Sequence, residues 1–158
     1  MGAMSAYIVG FLLGVLTGLR SLTPVTAVSW AAHLGWSHLE NTPLAFLGFA
    51  GTPYILSALA TGELIVDKLP KTPSRKAPGP FAARIVMGAL CGAAVGAPTG
   101  ALVGGALAGA VGGVVGTLAG YEFRSRLVKA TGGKDLPIAL LEDAIAICGA
   151  FLLVSRAF

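Results

Sequence analysis

The sequence predicts an all-α, polytopic integral membrane protein, and three observations carry that prediction. Hydrophobic residues make up 55% of the chain and charged ones only 11%, with a mean hydropathy of +0.82. Soluble domains carry about 25% charged residues, so these charges are too few to coat a soluble fold of this size. The apolar runs are also too long and too many for one buried core helix. Finally, glycine recurs at four-residue spacing through those runs. Such stretches make poor helices in water, but in lipid a small residue every fourth position lets two backbones approach closely. A single transmembrane domain over residues 1–158 is the natural organisation.

Residues 6–19 form the first span, apolar apart from Thr17 and carrying Gly10, Gly14 and Gly18 in one row. No basic segment precedes it and no small-residue cleavage site follows, so it reads as a retained span rather than a signal peptide. It ends at Arg20-Ser21-Leu22-Thr23-Pro24. Residues 24–36 hold a second apolar piece, roughly 18 Å as a helix against a hydrocarbon layer of about 30 Å. A re-entrant or interfacial half-helix fits that length, with Trp30 and Trp36 near a headgroup belt. Residues 44–66 are long enough to cross, yet are interrupted at Gly51-Thr52-Pro53. Threonine caps helix starts and proline suits a first turn, so Thr23-Pro24, Thr42-Pro43 and Thr52-Pro53 are expected to begin helical pieces.

Residues 67–80, with Lys68, Lys71, Arg75 and Lys76 among prolines, read as an exposed, stiff, basic cytoplasmic loop. Residues 81–97 and 100–120 are two spans joined by a tight turn at Ala97-Pro98-Thr99. Glycine recurs at Gly88, Gly92 and Gly96 in one arm and at Gly100, Gly104, Gly112, Gly116 and Gly120 in the other, with Ala108 filling the gap; Gly105, Gly109 and Gly113 make a second row. This pattern predicts a glycine-zipper helical hairpin. Residues 121–136 form a basic cytoplasmic segment, and residues 137–154 the last span, with Asp135 placed to cap it.

Five crossings with a cytoplasmic N-terminus place Lys68, Lys71, Arg75, Lys76, Arg84, Arg124, Arg126, Lys129 and Lys134 inside, leaving Arg20 and Arg156 outside. That imbalance satisfies the positive-inside rule. If residues 25–36 instead cross, the N-terminus moves outward and the remainder stands.

Ionisable groups within spans are costly and mark pairs or functional sites. Glu142 and Asp143 lie too deep in the last span for its helix dipole alone to account for them. Glu63 and Asp67, four residues apart, face one way on their helix, and Arg84 is the natural counter-charge, with Glu63 as an expected partner. Arg20, with Ser21 and Thr23, sits at a helix break, where freed backbone groups favour a substrate or ion site; the competing expectation is that Arg20 snorkels to the outer interface. Arg124 and Arg126, beside Tyr121 and Glu122, read as a solvated helix end. No metal-ligand spacing surrounds His33 and His38, Cys91 and Cys148 read as packing residues, and no basic, aromatic-interleaved patch points to nucleic acid.

Three polar signatures then resemble a known family. Gly18-Leu19-Arg20-Ser21-x-Thr23-Pro24, Glu63-Leu-x-x-Asp67-Lys68-x-Pro70 and Leu141-Glu142-Asp143-x-x-Ala146, with the glycine-rich hairpin between the last two, resemble the bacterial membrane proteins catalogued as domain of unknown function 4126. The resemblance implies a polytopic fold in a bacterial inner membrane and assigns no activity. The charge pattern itself leads to a small transporter or channel, lipid-embedded and homo-oligomeric through its glycine-rich helices, moving an ion or small polar solute. Arg20, Ser21, Thr23, Glu63, Asp67, Arg84, Glu142 and Asp143 would line its path, with no cofactor or bound metal. The alternatives are a membrane enzyme handling a lipid phosphate or prenyl substrate with a divalent cation, and a non-catalytic assembly partner.

Overall fold

The computed structural model describes residues 1–158, folded as six α-helices without a strand. The helices are α1 (Ala3–Leu19), α2 (Leu22–His33), α3 (Thr52–Val66), α4 (Pro78–Gly96), α5 (Leu102–Ala130) and α6 (Asp135–Ala157), with a 3-10 turn at Ala45–Gly48 between α2 and α3. Three stretches are long and apolar enough to cross a membrane: Pro78–Thr99, Leu102–Ala130 and Asp135–Ala157. The apolar helices α1 and α3 are shorter, at 17 and 15 residues.

Helix starts follow proline. Pro53 lies in the first turn of α3, Pro78 and Pro80 in that of α4, and Pro24 in that of α2, where a missing N–H costs nothing. Of the three expected threonine caps, only Thr42 accepts from the backbone, from Leu44 N at 3.2 Å just before the 3-10 turn; the other two do not form. Thr23 Oγ1 is buried without a partner, and Thr52 Oγ1 donates to the Phe46 carbonyl at 2.7 Å. The N-terminus of α2 is satisfied instead by Glu63 from α3, as described below. Asp135 likewise does not cap α6: no side chain bonds that terminus, and Asp135 pairs with Arg124.

The glycine rows join three helices rather than two. In α5, the row of Gly105, Gly109 and Gly113 lies against α4, antiparallel to it, at Gly96, Gly92, Gly88 and Arg84. The row containing Gly112 and Gly116 lies against α1, parallel to it, at Phe11, Val15 and Gly18. A Cβ on Gly109 would collide with the Gly88 carbonyl, and one on Gly18 with the Gly116 backbone. The outward stripe of α5 is Val103, Leu107, Val111, Val115 and Leu118. A hydrogen bond ties the seam together: Thr17 Oγ1 donates to the Arg84 carbonyl at 3.1 Å, in addition to its bond with the Gly14 carbonyl.

The short helix α2 has the length of a half-helix, yet it is enclosed by α1, α3, α4 and α6 rather than lying at the surface. It runs antiparallel to α3, with Trp30 Nε1 donating to Ser57 Oγ at 3.0 Å and stacking edge-on to Tyr54. The segment returning from α2 buries Leu39, Leu44 and Leu47, and Ser29 Oγ donates to the Leu47 carbonyl at 2.6 Å. Two further helices differ in length from the sequence expectation. α5 continues to Ala130, so much of the basic segment 121–136 is helical, and α6 begins at Asp135.

Gly109→Ala is expected to cost about 1–3 kcal/mol, the usual range for overpacking, because backbone and not a flexible side chain meets the new methyl. Gly62→Ala in α3, with nothing within 4 Å, is expected to be neutral. Thermal unfolding of both variants in one detergent tests the contrast; equal midpoints would remove the close α4–α5 approach.

Candidate functional site

Charged residues from four helices and two connecting segments converge at one end of the bundle. At the centre is Arg20, fully buried where the chain turns extended between α1 and α2. Its Nε donates to Asp143 Oδ1 at 2.6 Å and its Nη1 to Asp67 Oδ2 at 2.7 Å, while Nη2 lies 3.9 Å from Glu142 Oε2. A planar guanidinium carries five donors in a fixed fork, and here it addresses carboxylates from two separate elements. The outer-interface expectation for Arg20 is thereby overturned. Ion pairs at hydrogen-bond distance hold it at the same end as Asp67 and Asp143.

The remaining carboxylates are satisfied outward from that centre. Asp143 accepts from Lys68 Nζ through its second oxygen at 2.6 Å. Glu142 receives both terminal nitrogens of Arg75 at 3.0 Å each, and Arg124 Nη1 at 3.1 Å. Arg124 turns its other nitrogens to Asp135, at 2.9 and 2.7 Å. Asp143 lies eight residues into α6, about 12 Å along its axis, and about 21 Å of helix follows it. Pairing is what makes carboxylates at this depth tolerable.

Glu63 does not pair with Arg84, contrary to the expectation from sequence. Its Oε1 accepts from Ser21 N at 2.7 Å and Ser21 Oγ at 2.5 Å, and its Oε2 from Leu22 N at 2.9 Å. The carboxylate thus occupies the positive end of α2 as an intramolecular cap. Arg84 faces Asp67 instead, with Nη2 at 3.7 Å from Oδ2, too far for a hydrogen bond. The Arg84 side chain is about 6% exposed, and its Nε is buried without a partner.

The fold therefore brings together Arg20, Asp67, Arg84, Glu142 and Asp143, with Ser21 and Glu63 adjoining them. Thr23 stands apart and lines a separate cavity of about 180 Å³ with Trp30, Ser57 and Phe151. Sequence reasoning missed Lys68, Arg75, Arg124 and Asp135 as members. Arg75, read as part of an exposed loop, is 9% exposed, and Arg124 reaches inward from what read as a solvated helix end. The available signal was stoichiometric: several carboxylates within spans require more than one buried cation. Beside the cluster, a cavity of about 590 Å³ is lined by Asp67, Arg75, Arg84, Tyr121, Arg124 and Asp135, among others. No group of three or more His, Cys, Asp or Glu side chains is arranged to hold a metal ion.

An all-helical bundle with three helices fit to cross a membrane, laced at one end by buried ion pairs, defines a helical membrane protein. The chain belongs to the family described as Domain of unknown function (DUF4126), whose profile matches residues 7–156. No curated protein and no solved structure shows a significant match to it.

Glu142→Gln leaves Arg75 and Arg124 without their shared charge and is expected to cost about 3–5 kcal/mol, as for other broken buried pairs. Arg75→Gln is expected to cost clearly less, since Arg124 still neutralises Glu142. Denaturation midpoints of the two variants rank them; a larger loss for Arg75→Gln would contradict the assigned network.

Proposed function

We propose that the chain is a small transport protein of the bacterial inner membrane, and that the ion-pair cluster is the closed cytoplasmic gate of a path for an ion or small polar solute. The observation that carries this reading is the sharing of partners within a buried cluster. Asp67 Oδ2 lies within reach of Arg20 and Arg84, and Glu142 Oε2 within reach of Arg20, Arg75 and Arg124. Pairs that share acceptors can exchange without leaving a bare charge, which is what a two-state gate needs. Buried salt bridges add little stability over apolar packing, so stability alone is a poor reason for this arrangement.

The helix directions support six passes rather than five. Arg20, Asp67, Arg84, Arg124 and Asp143 meet at one end, which requires α1, α3 and α5 to run towards it and α2, α4 and α6 away from it. Every lysine and arginine except Arg156 then falls at the cluster end, and the positive-inside rule makes that end cytoplasmic. The orientation of α1 is thus the reverse of the five-crossing expectation. Because α2 is short and enclosed, protein surrounds its non-helical continuation, as membrane depth demands. A homo-oligomer would use the outer Val and Leu stripe of α5, since its glycine rows already face α1 and α4.

The metal-dependent enzyme is less favoured, because Asp67, Glu142 and Asp143 already hold guanidinium or ammonium groups that a divalent cation would have to displace. The assembly-partner reading draws on the same full pairing, and flux separates it from transport. Proteoliposomes of wild type are expected to conduct a proton, cation or small anion, and a folded Glu142→Gln protein to lose gating. Absence of flux for all three with intact wild type would sink the transport reading. Topology is tested separately on a Cys148→Ser background: Ser5→Cys should react with an impermeant maleimide from outside, and Lys134→Cys only after permeabilisation. Labelling of Lys134→Cys in intact cells would reverse the orientation.

A further inference from the structure

Within the cluster, two guanidinium groups keep buried donors without a partner: Arg20 through Nη2, which lies 3.9 Å from Glu142, and Arg84 through Nε. Asp67, its one neighbouring carboxylate, gives its Oδ2 to Arg20 at 2.7 Å, and Glu63 is committed to the α2 terminus. The Arg84 guanidinium therefore makes no hydrogen bond, although its side chain is about 94% buried. A buried charged donor left unmade is expensive, and such a group calls for an acceptor that the chain itself does not supply.

The surroundings indicate what that acceptor is. Arg84 lines the cavity of about 590 Å³ together with Arg75 and Arg124, while Asp67 and Asp135 are the carboxylates on the same wall. Arg75, Arg124 and Asp135 are engaged at 2.7–3.1 Å: Arg75 and Arg124 with Glu142, and Asp135 with Arg124. Three guanidinium forks around one space match a tetrahedral oxyanion better than a halide, since forks donate in pairs to adjacent oxygens. The volume exceeds that of a bare phosphate and lies in the range of small-ligand pockets. Tyr121, Pro73 and Pro80 add wall against which an organic remainder can rest.

We propose that this cavity binds a phosphoryl group through Arg84, with Arg75 and Arg124 as flanking donors. The group is borne either by a soluble phosphate compound or by a lipid headgroup of the leaflet at the cluster end. The inference deepens the transport reading, and its orientation rests on that reading, but binding itself does not require flux. Occupancy supplies Arg84 with its missing acceptor and competes with Glu142 for Arg75 and Arg124, linking ligand to the state of the ion-pair cluster.

The test is ligand-induced thermal stabilisation of the purified full-length protein at constant ionic strength. Inorganic phosphate and glycerol phosphate are titrated against chloride in a detergent without phosphate groups. In parallel, nanodiscs are compared with and without a phosphomonoester lipid in a zwitterionic background. Wild type is expected to show saturable stabilisation by phosphate over chloride in the first arm, or by the phosphomonoester lipid in the second; which arm responds identifies the source. Arg84→Gln, which removes a group with no hydrogen bond to lose, is expected to fold and to weaken binding roughly tenfold or more. Arg126→Gln, an exposed residue paired only with Glu122, is expected to bind as wild type. No phosphate-specific response in either arm, or equal binding by Arg84→Gln, would overturn the site. Phosphoryl binding without flux would keep the site and remove the transporter, whereas flux without phosphoryl binding would do the reverse.

Discussion

The bundle depends on the demand of Arg20 for two carboxylates at once. Its position, between the end of α1 and the start of α2, would otherwise be a loose connection with an extended residue. Burial of the guanidinium with Asp67 on one side and Asp143 on the other fixes the end of α3 and the first turns of α6 to that connection. Long-range direction follows from this short-range chemistry. Ion pairs of 2.6 and 2.7 Å leave no freedom in which end of α3 or α6 is placed there. In lipid, where apolar helices gain nothing by meeting one another in preference to acyl chains, such polar contacts and close backbone packing are what select one arrangement.

The glycine seams supply the second half of that selection. They bring α1 and α4 onto two faces of α5 at backbone distance. Thr17 consequently reaches the Arg84 carbonyl, and Arg20, Arg84 and Arg124 arrive at the same level of the bundle. Three guanidinium groups at one level repel one another, so the approach that packing favours is one that electrostatics would resist. Carboxylates from α3 and α6 resolve the conflict. The two sequence features that looked independent, small residues and buried charges, are therefore parts of one solution.

This division explains what was legible in the sequence. Arg20, Asp67, Arg84, Glu142 and Asp143 could be picked out because each is an ionisable residue in or beside an apolar run, and that cost is visible in one dimension. Their partners were not visible in the same way. Arg75 lies in a proline-rich stretch that reads as solvated until the loop folds back, and Arg124 opens a basic stretch of helix that suits an interface equally well. Five crossings separate Arg20 from Asp67 because the twelve residues of α2 are shorter than the hydrocarbon layer; the alternative in which residues 25–36 cross is the one compatible with the Arg20–Asp67 pair. The glycine periods announced close packing, but periodicity in one helix cannot say how many neighbours will use its faces; α5 has two.

Why the cluster is built from charges at all is answered by how they are distributed. An end plug made only to hold helices together would match donors to acceptors and leave none over, since each unmatched buried group costs free energy without return. Here Glu142 serves three cations, Asp67 two, and Glu63 none, its oxygens being spent on the α2 terminus. The fold thus concentrates acceptors at Glu142 while leaving Arg84 an ion pair at 3.7 Å with Asp67 but no hydrogen bond, on the wall of an open cavity. An imbalance of this kind is a poor fastening. It is well suited to a device whose pairs must change partners when an external anion supplies the missing acceptor.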